Sequence, residues 1–284
     1  MKYAINTLLW TAGFDQSHFD LLPRFREWGF DGAEIARFEF DSFPAAATRR
    51  AVEEAGLEAI FLSALTGESS IVAEDAAVRK GALTFLRQGI ATAAEIGAST
   101  FVGPFCAPVG YLPGRRRTAD EWKRAVEGLQ SLGPVLDEYN VHLAVEALNR
   151  FETYFLNTAD DAVRLCDEVA HRRVGILFDT FHANIEEKNI AKALALCGDH
   201  LKHIHTCEND RGVPGSGHIE WSSVFESIRT LGYDGWLSIE SFGSTIPEIA
   251  AAACIWRDLA PSADAIGRDG VQFLKSSLAQ AAAS

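Results

Sequence analysis

Cysteine is scarce and unpatterned in this chain. The five present among 284 residues (Cys106, Cys166, Cys197, Cys207 and Cys254) form no Cys-x-x-Cys pair, and their number is odd. That excludes a readable disulfide framework and points to free thiols in a reducing compartment. Basic residues are also few: 26 Lys and Arg face 39 Asp and Glu, a net charge of −13. Nucleic-acid binding needs clustered cations to neutralise phosphates, so no nucleic-acid partner is expected. No apolar run reaches the ~18 residues of a membrane span. Met1-Lys-Tyr-Ala-Ile-Asn leads directly into a strand-like run, without a signal peptide before it. A soluble, cytoplasmic protein with no membrane partner is the expectation. The chain also lacks Gly-x-Ser-x-Gly, His-Glu-x-x-His and a phosphate-cradling Gly-rich loop. No nucleotide cofactor is therefore expected.

What the chain does have is alternation. Strand-like runs fall near residues 3–9, 31–36, 57–62, 99–103, 142–146, 174–179, 201–206 and 236–240. Helical patterns lie between them near 17–28, 44–55, 75–97, 119–139, 158–170, 187–197, 221–231 and 246–258. The strand runs are short, apolar and β-branched, as parallel strands buried on both faces are. Eight such units predict an α/β fold, a (β/α)₈ TIM barrel. We expect one domain over 1–284, with the barrel over about 1–258 and a C-terminal helical extension over about 259–284. Gly29, Gly56, Gly97 and Gly232 each close a helical segment before a strand, where helix C-termini favour glycine.

Four of the strand-like runs end on a polar residue. They are His142-Leu-Ala-Val-Glu146, Val174-Gly-Ile-Leu-Phe-Asp179, Leu201-Lys-His-Ile-His205 and Trp236-Leu-Ser-Ile-Glu240. In a barrel these residues gather at the C-terminal mouth, where TIM-barrel enzymes place their chemistry. Three carboxylates and one imidazole suit a hard divalent ion such as Mn²⁺ or Mg²⁺. His203 shares a strand face with His205 and is expected to pack behind it. Glu152, His182 and Arg211 lie on the loops just after Glu146, Asp179 and His205, a polar set able to bind vicinal hydroxyls.

Two loops on the same face, 103–117 and 208–218, are longer than a barrel needs. Arg115, Arg116 and Arg117 on the first read either as a phosphate anchor or as a solvated loop or subunit contact. Trp10 and Phe242 are expected to wall a pocket or to pack in the core. Trp28, Trp122, Trp236 and Trp256 are expected to pack.

Taken together, these residues resemble the ketose 3-epimerases of the D-tagatose and D-allulose (psicose) 3-epimerase type, within the xylose-isomerase-like barrel superfamily. The resemblance is densest in Val145-Glu-Ala-Leu-Asn-Arg-Phe-Glu-Thr153, Phe178-Asp-Thr-Phe-His182, His203-Ile-His-Thr-Cys-Glu-Asn-Asp-Arg-Gly-Val-Pro-Gly-Ser-Gly217 and Ile239-Glu-Ser-Phe242. It implies an isomerase that epimerises free ketoses at C3 through a cis-enediolate. It implies one divalent metal on Glu146, Asp179, His205 and Glu240, foremost Mn²⁺, with Co²⁺ or Mg²⁺ as substitutes. Glu146 and Glu240 would double as the acid/base pair. Glu152, His182 and Arg211 would contact the substrate. Relatives of this kind form dimers or tetramers, so a homo-oligomer is implied. The alternatives are a sugar or sugar-phosphate isomerase or an inosose dehydratase-like lyase of the same superfamily. The apurinic endonuclease branch needs further histidines that the chain does not evidently supply. A non-catalytic sugar-binding module would fit only if Glu146 and Glu240 lay too far apart to share a metal.

Overall fold

In the computed structural model, which describes residues 1–283 and side chains to residue 280, eight parallel strands close a barrel in chain order. Ser284, the end of the expected extension, lies outside the described residues. The strands are β1 Lys2–Asn6, β2 Gly32–Ala36, β3 Glu58–Leu62, β4 Thr100–Gly103, β5 His142–Glu146, β6 Val174–Asp179, β7 Leu201–His205 and β8 Trp236–Ile239. Around them run α1 Leu21–Trp28, α2 Ala45–Glu54, α3 Ala76–Glu95, α4 Ala119–Gln130, α5 Gly133–Tyr139 and α6 Ala159–Val169. They are followed by α7 Thr180–Glu186, α8 Ile190–Cys197, α9 Trp221–Thr230, α10 Pro247–Ala252 and α11 Ala263–Ala283. Helix α11 is the expected C-terminal helix and packs on α1 and α9.

Period-two alternation sorts the strand side chains. Ile5, Ile35, Phe61, Phe101, Leu143, Val145, Ile176, Phe178, Ile204 and Leu237 join the large core between sheet and helices. Ala4, Ala36, Ile60, Leu62, Val102, Ala144, Leu177 and Trp236 form a separate apolar cluster, the packing inside the barrel. Further along the strands the inward side chains include seven buried polar residues: Asn6, Glu34, Glu146, Asp179, His203, His205 and Ser238. Apolar filling thus gives way to polar side chains toward the C-terminal mouth.

One irregularity sets the phase of β7. Ile176 pairs with Leu201, but Leu177 pairs with His203, so Lys202 is an extra residue in the ladder. A one-residue slip exchanges the two faces of a strand. The bulge therefore lets Leu201 join the outer core while His203 and His205 turn inward opposite Leu177 and Asp179. Lys202 packs over Gly175, where a Cβ would sit 2.4 Å from its Cγ.

The structure departs from the sequence-based elements at four places. The first strand ends at Asn6 because the Asn6 side chain accepts the Leu8 N–H (2.9 Å) and turns Thr7–Leu9 into a 3₁₀ turn. The helix expected over 119–139 is two helices, since Pro134 has no N–H to continue the first. Helix α7 was not anticipated, and Asp179 initiates it. The helix expected over 246–258 stops at Ala252, before Cys254 takes a left-handed backbone (φ 54°). The four closing glycines do lie in the positive-φ region, at 97°, 70°, 83° and 62°. At the mouth, Gly103 (φ 145°) lets β4 approach the end of β3, because a Cβ would fall 1.9 Å from the Ser63 carbonyl oxygen.

Candidate functional site

The four strand-end residues converge. Glu146, Asp179, His205 and Glu240 each place a ligand atom within 4.8 Å of the others, and all four side chains are buried. His205 Nδ1 lies 3.3 Å from Glu240 Oε2, 3.5 Å from Asp179 Oδ2 and 3.7 Å from Glu146 Oε1. Of these atoms, Glu146 Oε1 and His205 Nδ1 have no hydrogen-bond partner among the described residues. Buried polar atoms are nearly always satisfied. Two orphans facing one another among three carboxylates make a donor set that fits one divalent cation.

Electrostatics show how much the cluster needs positive charge. Burial pushes the Glu146 carboxyl up to about 8, His205 pulls it back, and Glu240 adds to the rise. Burial would raise Asp179 as well, but the Arg211 guanidinium holds it well below the usual carboxylate range. Burial opposes charge on His205, yet Glu240 and Glu34 favour its imidazolium strongly enough to raise it well above the ordinary value.

Asp179 divides its carboxylate between two tasks. Its Oδ1 accepts from Phe181 N–H (2.6 Å) and His182 N–H (3.3 Å), capping α7. Its Oδ2 faces His205 and accepts from Arg211 Nη1 (2.9 Å). A position in the acidic cluster and a helix start are thus fixed by one residue. The cap also places His182, whose ring burial holds neutral, down at about 3. The Asn149 backbone N–H donates to His182 Nδ1 (3.0 Å), and Arg211 Nη2 lies 3.0 Å from Nε2. Glu152 accepts from Asn149 Nδ2 (2.7 Å), and burial raises its carboxyl against the pull of Arg211.

Together these groups make the polar end of a cavity of about 170 Å³, lined by Glu146, Glu152, His182, Arg211 and Glu240. The remaining wall is largely apolar, with Leu8, Phe38, Leu62, Val109, Phe242 and Ile249, and Ser63 and Thr66 supply hydroxyls. Arg211 is the one cation among the lining residues. Its loop is organised by the fully buried Glu208, which accepts from Gly215 N–H (2.8 Å), Ile219 N–H (3.1 Å) and Trp221 Nε1 (2.9 Å).

Several sequence expectations are resolved differently. Phe242 does wall the cavity, its ring 4.7 Å from the Arg211 guanidinium. Trp10 does not: its Nε1 donates to Asp264 (3.0 Å) and its ring packs on Phe25 and Trp28. Trp256, expected to pack, is 76% exposed beyond α10. Arg115 donates to Glu121 through both terminal nitrogens (2.9 and 2.8 Å). Arg117 pairs with Asp161 and the Phe155 carbonyl, while Arg116 is exposed. None of the three lines the cavity.

The sequence reading missed Glu34 and Asn6. Glu34 is fully buried and lies between two imidazoles, 2.7 Å from His203 Nε2 and 2.9 Å from His205 Nε2. Burial would raise its carboxyl, but His205 and His203 hold it well below the usual range. Asn6 Nδ2 donates to Glu34 (2.6 Å) and to Glu240 Oε1 (3.2 Å). The available signal was parity, since Glu34 is a lone acid on the inward phase of Gly32-Ala-Glu-Ile-Ala36.

Comparison with known proteins agrees with this geometry. The family model described as "Xylose isomerase-like TIM barrel" matches residues 22–276. A Synechocystis protein named "Probable ketose 3-epimerase" is 35% identical over 97% of this chain and 96% of its own. The D-psicose 3-epimerase of Agrobacterium fabrum is 30% identical over 93% of each. A solved structure of L-ribulose 3-epimerase superposes with a TM-score of 0.93 at 26% identity, covering 99% of this chain and 95% of that one. By fold and by sequence, the chain belongs to the xylose isomerase-like TIM barrel family and stands among its ketose 3-epimerases.

Proposed function

We propose that the protein is a metal-dependent ketose 3-epimerase acting on free ketoses, an isomerase that inverts C3 through a cis-enediolate. The observation that carries this reading is the convergence of Glu146 and Glu240. They come from β5 and from the end of β8, well apart around the barrel, yet share one ligand cluster with Asp179 and His205. Glu146, Asp179, His205 and Glu240 would hold one divalent ion, Mn²⁺ foremost and Co²⁺ or Mg²⁺ as substitutes. When bound, the ion supplies Lewis-acid polarisation of the ketose carbonyl and a template for its oxygens. One glutamate takes the C3 proton from one face of the substrate, and the other delivers a proton to the opposite face. Exchange of these roles lets the reaction run either way. Arg211 and His182 hold the oxygens next to the reacting carbon, and Glu152 orients a hydroxyl.

A free rather than phosphorylated ketose is supported by the cavity lining. A phosphate dianion is bound well by several cations, and Arg211, already paired with Asp179 and Glu240, is the one available there. Arg115 and Arg117 are committed to Glu121 and Asp161. The test is a panel of free ketoses and ketose phosphates incubated with Mn²⁺, with products separated by chromatography. C3 epimers from free ketoses are expected. Turnover confined to phosphates, an aldose product, or an ultraviolet-absorbing dehydration product would overturn the assignment.

A further inference from the structure

We propose that Glu34 is the positioning residue of the ligand cluster, dictating which nitrogen His205 presents and, through Asn6, how Glu240 is held. The inference rests on the metal site proposed above. Glu34 lies mid-strand on β2, across the barrel from β7, fully buried where the apolar interior gives way to polar side chains. A buried carboxylate there is costly unless every lone pair is used. Here Oε2 faces His203 Nε2, and Oε1 faces both His205 Nε2 and Asn6 Nδ2.

An ionised carboxylate only accepts, so both imidazoles must donate from Nε2. His205 is left with Nδ1 as the ring atom turned to Glu146, Asp179 and Glu240. The Asn6 amide is equally determined. Its oxygen is taken by the Leu8 N–H, so its nitrogen faces Glu34 and Glu240. A carboxylate behind a ligating histidine fixes its tautomer and ring orientation and raises its basicity. Glu34 also sits with His203 and His205 in a trio close enough to hold an ion itself. Yet that trio is already bonded internally through both Nε2 atoms, and its two unpartnered nitrogens are His203 Nδ1 and the His205 Nδ1 that faces the acidic cluster.

Glu34→Gln separates these roles. The amide oxygen takes the place between Asn6 and His205, and its NH₂ faces His203, which can carry its proton on Nδ1 instead. Shape and hydrogen bonds survive, and the charge does not. Titration of wild-type and variant protein with Mn²⁺, followed by electron paramagnetic resonance, should show one ion per chain, bound about 10–100-fold more weakly by the variant. Near-ultraviolet circular dichroism of the metal-free variant should match wild type. Unchanged Mn²⁺ affinity in the variant would overturn the role of Glu34 alone, and no stoichiometric binding by wild type would overturn the metal site itself. A second observable needs no variant: imidazole ¹⁵N shifts of Cd²⁺-loaded wild type. Cadmium on His205 Nδ1 with the proton on Nε2 is expected; coordination through Nε2, or a second ion on His203, would refute the proposal.

Discussion

Arg211 Nη1 stands 2.9 Å from Asp179 Oδ2 and reaches Glu240 Oε2 at the same distance, so one guanidinium nitrogen neutralises two residues of the ligand cluster. Two aromatic faces clamp it, Phe181 at 4.1 Å and Phe242 at 4.7 Å. Its backbone is left-handed (φ 67°), a conformation that a non-glycine residue keeps only when its surroundings impose it. The side chain therefore serves as counter-ion in the metal-free chain.

Arg211→Gln should destabilise the metal-free protein on the order of 3–5 kcal/mol, the usual cost of stripping a buried charge of its partner. A divalent ion bound by the same carboxylates would restore most of that loss. Thermal unfolding with EDTA and with Mn²⁺ measures both. An equal drop under the two conditions would show that Arg211 and the ion do not serve the same charges.

Stability of the metal-free protein should fall as pH rises from 4.5 to about 8. The Glu146 carboxyl moves between those two values on folding, because burial and then Glu240 disfavour its anion against the pull of His205. A group raised in this way favours the folded state fully below 4.5, and its contribution is lost as pH climbs through about 8. His205, also raised, works in the same direction. Ligand atoms must be deprotonated to bind metal, so Mn²⁺ affinity should increase over the same interval, with protons released. Melting curves across pH in EDTA, together with calorimetric titrations in buffers of different ionisation enthalpy, test both halves. Glu146→Gln should flatten the EDTA profile; a slope unchanged in that variant would assign the effect elsewhere.

The barrel was legible because parallel strands advertise themselves as short apolar runs, and all eight were located. The convergence of the four polar strand ends was legible for a related reason. Glu146, Asp179, His205 and Glu240 each interrupt or end such a run, and chain order puts strand ends at one mouth. Glu34 was not legible by that reasoning, because it lies two residues inside its strand. Its role depends on imidazoles donated by β7, whose inward phase hangs on the Lys202 bulge. No local pattern announces such a bulge. Helix α7 was missed because its start is a side-chain cap by a residue already read as a strand end. Trp10 and Trp256 show the limit for aromatics, whose surroundings are set by α1, α11 and the turn after α10.

Asp179 allows its two tasks to be separated. Asn is as good an N-cap as Asp, so Asp179→Asn should keep α7 while weakening both the metal site and the Arg211 pair. Asp179→Ala loses the cap as well, and should be less stable than the Asn variant by about 1 kcal/mol. Both leave Arg211 unpaired on that side, so the difference between them isolates the cap. Denaturant unfolding in EDTA measures it, and equal stabilities would show that the Oδ1 contacts contribute nothing to α7.

The proposed proton transfer gives the most direct test of Glu146 and Glu240. Gln at either position preserves side-chain shape and a neutral oxygen ligand, and removes the base. A positioned acid/base group contributes ~10²–10⁴-fold. Inversion needs both faces of the carbon, so Glu146→Gln and Glu240→Gln should each lose at least that much turnover, measured at saturating Mn²⁺ to offset weaker binding. In deuterium oxide, wild-type product should carry label at C3, because the delivering carboxylate exchanges with solvent before it reprotonates the carbon. Substrate recovered before equilibrium should be labelled less, since one glutamate must both take and return the proton for that outcome. Unlabelled product would mean that hydrogen moves without exchange, by hydride shift or a shielded single base. Either result would remove the two-glutamate assignment, while leaving Glu146, Asp179, His205 and Glu240 as a cluster that binds an ion for another purpose.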